Sequence, residues 1–234
     1  MRASEKKQRA SDITERLKQI YPTPLCALEY GGDEWKLLVM GRLSAQCTDA
    51  RVNTVSRELF ARFPTPRALA DAELSEIEDI VRPCGLYRVK ARDIKEESRA
   101  YVEDFGSRLP SDMGSLLRLQ GVGRKIANLL IGDIFKGPAI VTDTHCIRIC
   151  GRLGLYPESE KNPYKIERIL SPLIEPSEQS DFCHRIVMFG REYCTARSPQ
   201  CDICPIGEAG LCEHKRKMDR RGESHPRQRA PRRQ

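Results

Sequence analysis

No stretch of the 234-residue chain approaches the ~18 uncharged apolar residues of a membrane span, and the first twenty residues, MRASEKKQRASDITERLKQI, carry charge throughout. Neither a membrane anchor nor a secretory leader is expected, so the chain reads as a cytoplasmic protein. Apolar and polar residues never alternate over a strand's length, and no internal repeat is found. Sheet-based and solenoid architectures are thereby excluded, and an all-α fold is left. Net charge is missing from most of the chain as well. Of 40 Lys and Arg and 33 Asp and Glu, nine bases and two acids fall in the last twenty residues, KRKMDRRGESHPRQRAPRRQ, which leaves 31 of each sign elsewhere. This basic segment, 215–234, is rich in Arg and Pro and reads as a disordered tail. It is either inert or a sequence-indifferent contact to nucleic-acid phosphate.

What is present is helical periodicity. It predicts helices roughly at 4–20, 34–43, 49–62, 73–82, 87–105, 112–119, 124–135, 143–153, 162–171 and 181–193. Asp49, Ser111 and Asp143 are of the type that caps helix entrances, and the prolines of FPTPRA and KGPA read as helix breakers.

The segment LQGVGRKIANLLIGDIF, starting at Leu119, joins two of these helices through a short Gly-Val-Gly turn, a helix-hairpin-helix. Gly121 and Gly123 allow positive φ, and with Val122 they offer successive backbone N–H groups beside a helix start, which suits a phosphate. A plain tight turn explains the same glycines. In the helix beyond the turn, Arg124, Lys125, Asn128 and Gly132 fall on a narrow stripe beside a broad apolar arc, placing Lys125 at the border of a buried face. A solvated lysine is the ordinary reading. Eighteen residues later Asp143 opens another helix in VTDTHCIRI, where a simple N-cap would explain it. Yet an amine and a carboxylate placed this way are also a nucleophile and its acid–base partner.

Ten cysteines in a reducing compartment do not suggest a disulfide framework. Cys26, Cys47, Cys84, Cys146, Cys150 and Cys183 read as ordinary small buried residues. The other four, Cys194, Cys201, Cys204 and Cys212, are spaced C-x6-C-x2-C-x7-C in CTARSPQCDICPIGEAGLC and indicate a metal centre. Only one pair forms a CxxC knuckle, which disfavours zinc without excluding it, and the spacing also differs from ferredoxin patterns.

Taken in order, LSAQCTDARVN, CGLYRVKARDI, LQGVGRKIANLLI, VTDTHCIRI and the cysteine array resemble the endonuclease III family, DNA-repair glycosylases of the helix-hairpin-helix superfamily, over about residues 30 to 215. The resemblance implies two all-α lobes: a six-helix lobe with the hairpin at 27–137, and a cluster lobe from 1–26 plus 138–214. Duplex DNA is expected across the cleft between them. It also implies Lys125 as nucleophile, its amine kept neutral by burial and a helix N-terminus, with Asp143 as acid–base partner. Gln46 and Leu86 would fill the gap left by an extruded nucleotide, and Gly121, Val122, Gly123, Arg124 and His145 would contact DNA. Cys194, Cys201, Cys204 and Cys212 would hold a 4Fe-4S cluster. The implied activity is that of a monomeric bifunctional glycosylase and β-elimination lyase, removing oxidised pyrimidines from duplex DNA and cutting at abasic sites in base excision repair. Gln120 stands where the family commonly has proline, Ile126 where it has threonine, Thr142 where it has valine, and the last cluster loop is two residues longer. Two alternatives remain: a monofunctional mismatch glycosylase, which needs no lysine at 125, and a non-catalytic DNA-binding protein, which needs no Lys125 with Asp143.

Overall fold

The computed structural model describes residues 2–222, and among them there is no strand. The helices are α1 (Ala3–Ile20), α2 (Glu34–Leu43), α3 (Asp49–Arg62), α4 (Pro66–Asp71), α5 (Leu74–Val81), α6 (Tyr87–Glu103), α7 (Met113–Leu116), α8 (Arg124–Asp133), α9 (Thr144–Arg152), α10 (Pro163–Leu170), α11 (Gln179–Glu192), α12 (Pro205–Glu208) and α13 (Glu213–Arg221). None is long and apolar enough to cross a membrane. The described residues fall into two compact units, one formed by Cys26–Ala139 and the other by the segments up to Leu25 and from Ile140 onward.

In the central unit, Trp35, Leu37, Leu38 and Met40 of α2 are nearly fully buried, with Leu59, Leu69, Ile77, Ile94 and Leu130 from the surrounding helices. The Trp35 indole N–H is not left unpaired by this burial, because it donates to Ser98 Oγ at 2.9 Å. Gly41 lets α8 come close: an added Cβ would sit 3.2 Å from the Ile126 side chain. The flanking unit packs Ile13 and Leu17 of α1 against Ile149, Ile166, Phe182, Ile186 and Phe189. Its α1 is tied in by Arg9, which donates to the Leu153 and Leu211 carbonyls at 2.8 and 2.7 Å.

Several expectations need correction. FPTPRA does not only break a helix but starts one: Thr65 caps α4 by accepting from Ala68 N, and Pro66 occupies its first turn, where the missing N–H is not needed. The cap of α3 is Thr48 rather than Asp49, and the cap of α7 is Asp112 rather than Ser111. The helix expected at 112–119 is only Met113–Leu116, since the chain leaves it in tight turns on the way to the hairpin. The expected disordered tail begins too early. Its first residues, 215–221, lie in α13, where Lys215 Nζ reaches the Cys201 carbonyl at 3.1 Å. The remainder of that segment, from 223 on, lies outside the described residues.

Candidate functional site

In the central unit the hairpin turn is built as a support for the start of α8. Gly121 has φ +76°, and a Cβ there would meet the Arg42 side chain at 2.8 Å, so both backbone and space demand glycine. Gly123 differs from expectation: its φ of −98° and ψ of 175° are extended, and it serves as the N-cap of α8 with no side chain to accept the helix's first N–H groups. A Cβ at Gly123 would meet nothing within 4 Å. Its backbone is therefore open to a ligand, as a phosphate grip requires. Val122 departs from expectation as well, because its N–H turns inward to the Leu119 carbonyl at 3.2 Å while its side chain is buried. What the turn leaves open for a phosphate is the helix start rather than three successive turn amides.

Arg124 and Lys125 come next, as the first two residues of α8. Lys125 is exposed, not buried, so burial within the chain does not desolvate its amine. Asn128, expected on the polar stripe, is buried at 4% exposure together with Gly132.

The hairpin rests on residues that sequence reading did not single out. Asp93 of α6, almost fully buried, accepts from Arg42 Nε at 2.6 Å and from Gln120 Nε2 at 3.2 Å. One carboxylate thus ties α2 to the turn, and Gln120 supplies a bond that proline could not. The signal was present in YRVKARDIKEESRAY: Lys90, Asp93 and Glu97 fall at i, i+3 and i+7 on the same buried stripe as Ile94 and Tyr101.

Gln46 and Leu86 share an unusual backbone. They have φ of +53° and +49°, and only Ser107 and Lys136 join them as non-glycine residues with positive φ among the described residues. Left-handed conformation is disfavoured for such side chains and persists where the surroundings impose it, often at functional sites. Both side chains are exposed, and 57% exposure is a large apolar surface for a leucine to present to water.

In the flanking unit Asp143 is the N-cap of α9, with Oδ1 accepting from Cys146 N at 2.7 Å. Cap and chemistry are compatible, since the cap engages one carboxylate oxygen. His145, half-buried in the first turn, lies 3.2 Å from Arg148 Nη2. Arg148 also donates to the Cys194 carbonyl at 3.0 Å, and Arg152 donates to Cys194 Sγ at 3.4 Å and to the Thr195 carbonyl at 2.8 Å. A single helix therefore positions Asp143 at its start and braces the cysteine segment at its end.

That segment is arranged for anionic sulfur. Cys204 caps α12 and Cys212 caps α13, each sulfur accepting a backbone N–H at 3.4 Å, from Gly207 and Lys215 respectively. Burial pushes the Cys201 and Cys204 thiols up to about 11; at Cys201 the neighbouring Cys212, Cys194 and Cys204 add to the shift, and at Cys204 the Gly207 and Ile206 amides oppose it. Thiols raised in this way ionise side by side only when a cationic centre holds them, and N–H···S bonds of this kind suit cluster ligands. The donor set fits an iron–sulfur group.

Comparison with known proteins agrees with this geometry. Residues 39–176 match the HhH-GPD superfamily of base excision DNA repair proteins. The endonuclease III of Synechocystis sp. is 43% identical over 208 residues, covering 88% of this chain and 93% of the relative. The chain belongs to the endonuclease III family. Residues 194–208 match the iron-sulfur binding domain of endonuclease III, a range that takes in Cys194, Cys201 and Cys204 but stops before Cys212. The family's cofactor is accordingly an iron–sulfur cluster. Endonuclease III of Escherichia coli strain K12 is 33% identical over 213 residues, 91% of this chain and 99% of the relative. A solved non-covalent endonuclease III–DNA complex superposes with a TM-score of 0.84 at 36% identity, over 92% of this chain and 98% of that one. A trapped endonuclease III–DNA covalent intermediate, an estranged-adenine complex, matches with the same TM-score. A thermostable thymine-DNA glycosylase at 20% identity and a TM-score of 0.79 shares the fold alone.

Proposed function

We propose that this endonuclease III family member is a bifunctional DNA glycosylase and abasic-site lyase that removes oxidised pyrimidines from duplex DNA in base excision repair. It works as a monomer in the bacterial or archaeal cytosol. The observation that carries the reading is the exposed Lys125 amine in the first turn of α8, directly after a helix start whose backbone is open to phosphate. That the related endonuclease III has been trapped covalently on DNA supports the same reading.

The open start of α8 binds a backbone phosphate and sets the register of the strand without reading sequence. The lesion leaves the stack, at a cost of a few kcal/mol that is lowest for a weakened pair, and Gln46 and Leu86 occupy the gap. Because Lys125 is exposed in the protein alone, the bound strand itself excludes water from the amine. Lys125 Nζ attacks the sugar's anomeric carbon, the C–N bond to the base breaks, and Asp143 takes the amine's proton or stabilises the developing cation. The amine's lone pair then opens the sugar, the C1′–O4′ bond breaking as O4′ takes a proton, to give a protonated Schiff base; loss of a C2′ proton expels the 3′-phosphate by β-elimination and cuts the strand. Cys194, Cys201, Cys204 and Cys212 would hold a 4Fe-4S cluster, whose bound charge and cross-links fix the segment between them. Gly121, Val122, Arg124 and His145 complete the proposed DNA contacts, Val122 by packing the turn rather than by its N–H.

The test is reductive trapping. Borohydride reduction of the Schiff base should join wild-type protein and lesion-bearing DNA in one shifted band on a denaturing gel. Lys125→Gln keeps helix propensity and should bind DNA yet give no band. An adduct of undiminished yield would move the nucleophile to another amine.

A further inference from the structure

Lys90 is a fully buried charged side chain that the proposed chemistry leaves without a task. It is on α6, four residues beyond Leu86, and has no exposed surface. A lysine is almost never buried completely unless something pairs it. Here no carboxylate does so: Nζ donates to two backbone carbonyls, Leu43 at 2.9 Å and Cys84 at 2.8 Å. Leu43 is the last residue of α2, and Cys84 is the last residue of the 3-10 turn Arg82–Cys84. Both carbonyls are thus at helix ends, where partial negative charge collects and no intrahelical partner remains. Burial pushes the ammonium down from its usual range, while the nearby Cys84 and Cys47 thiols push the other way.

The two carbonyls matter because of the residues just beyond them. Three residues after Leu43 comes Gln46, and two residues after Cys84 comes Leu86, both exposed and both in left-handed backbone. Such a conformation does not hold itself, so the segments leading into it must be anchored. We infer that Lys90 is a positioning residue that couples the two gap-filling loops, clamping the α2 end before Gln46 and the turn before Leu86 through one buried ammonium. This deepens the proposed function and rests on it for the meaning of the two loops. The clamp itself is a property of the free protein.

The experiment uses the full-length protein with its cluster, as wild type, Lys90→Met and Lys90→Arg. Hydrogen exchange is measured first, without DNA. Lys90→Met retains the length but has no donor, and amides of residues 45–47 and 85–86 should both exchange ~10-fold faster or more, while those of 119–123 are unchanged. Lys90→Arg, which can still donate to a carbonyl, should recover part of the protection in both loops. Each protein is then assayed on a paired oxidised pyrimidine and on a pre-formed abasic site in the same duplex. Excision should fall ~10-fold or more in Lys90→Met, with borohydride trapping at the abasic site changed less than ~2-fold, because no base remains to be unstacked. In a Gln46→Ala/Leu86→Ala background, adding Lys90→Met should lower excision by less than ~2-fold, since residues acting through one another are not additive. Unchanged exchange in either loop, equal loss on both substrates, or full additivity would overturn the inference. Should Lys90→Met not fold, Lys90→Arg carries the same comparisons, and failure of both to fold would mean that Lys90 holds the whole unit rather than the loops. A wild-type protein that excises nothing would count against the proposed function alone, because the exchange result still decides the clamp.

Discussion

Asp143 is held by a residue three positions further along its own helix, whereas the turn that delivers Lys125 is held by Arg42 and Asp93, partners 51 residues apart in the chain. The first is a local device. An aspartate before a helix accepts the third amide in any context, and the helix dipole favours its charge. The second is a tertiary device, in which a carboxylate and a guanidinium are taken out of water together and stay favourable only as a pair. The cysteine segment lies between these extremes: Cys204 and Cys212 are local caps, but Cys194 depends on Arg148 and Arg152 of α9. Substitutions at the two kinds of anchor should therefore fail differently, one in chemistry and the other in stability.

The largest effect is expected at the tertiary anchor. Asp93→Ala leaves Arg42, whose side chain is only 14% exposed, without its partner, and loss of one member of a buried pair costs up to about 3–5 kcal/mol. Chemical denaturation should show it, and the hairpin's grip on DNA should weaken with it. A loss under about 1 kcal/mol would show that Arg42 finds water and that the anchor is dispensable. Next comes the local anchor. Asn is as good a cap as Asp, so Asp143→Asn should melt like wild type while base excision falls ~100-fold or more, as for the loss of a positioned acid–base group. Near-normal excision would return Asp143 to a purely structural role.

What was legible in the sequence obeys the same division. Helix starts such as Asp143, the glycines of the turn and the four sulfurs were visible because each acts within a few residues of itself. The arginines of α9 were not, because charge on a helix reads as solvent-facing until its partners are known; Lys90 and Asp93 carried only the indirect signal of sharing a stripe with Ile94 and Tyr101, which does not name their partners. Gln46 and Leu86, proposed to fill the gap, stood out only through the family resemblance; their left-handed backbone is a fact of three dimensions, with no marker in Gln46 or Leu86 as residue types. The exposure of Lys125 was misjudged for a related reason. Periodicity assigns it to the edge of an apolar arc, but its position in the first turn carries it past the core that the rest of α8 fills.

Glu97 sharpens the comparison further along the same stripe. It is fully buried, neither carboxylate oxygen has a hydrogen-bond partner, and burial holds its carboxyl well above the usual range, with Arg42 opposing the shift and Asp93 adding to it. The native state therefore keeps a proton that the unfolded chain releases above its ordinary value of 4.5. Stability falls as pH rises from there towards the raised native value. Glu97→Gln removes that titration. It should make the protein more stable than wild type on the alkaline side and flatten the fall in stability as pH rises above 4.5. If wild type and variant keep the same slope, water reaches Glu97 and the stripe is wetter than its burial indicates.

The smallest effect belongs to the end of the chain, where the placement of α13 changes the experiment. A cut before Lys215 would remove both the amide bonded to Cys212 Sγ and the ammonium bonded to the Cys201 carbonyl, so it would disturb the cysteine segment itself. A cut after Gly222 spares both. It removes four arginines and one glutamate, a net charge of +3. Iron–sulfur absorbance near ~400 nm and melting temperature should then be unchanged. Affinity for DNA should drop modestly, with the slope of log affinity against log salt reduced by ~0.9 for each phosphate that the arginines had neutralised. An unchanged slope would make these arginines bystanders, and the electrostatic grip would then fall to the remaining 222 residues, which keep 36 bases and 32 acids, and chiefly to the open start of α8.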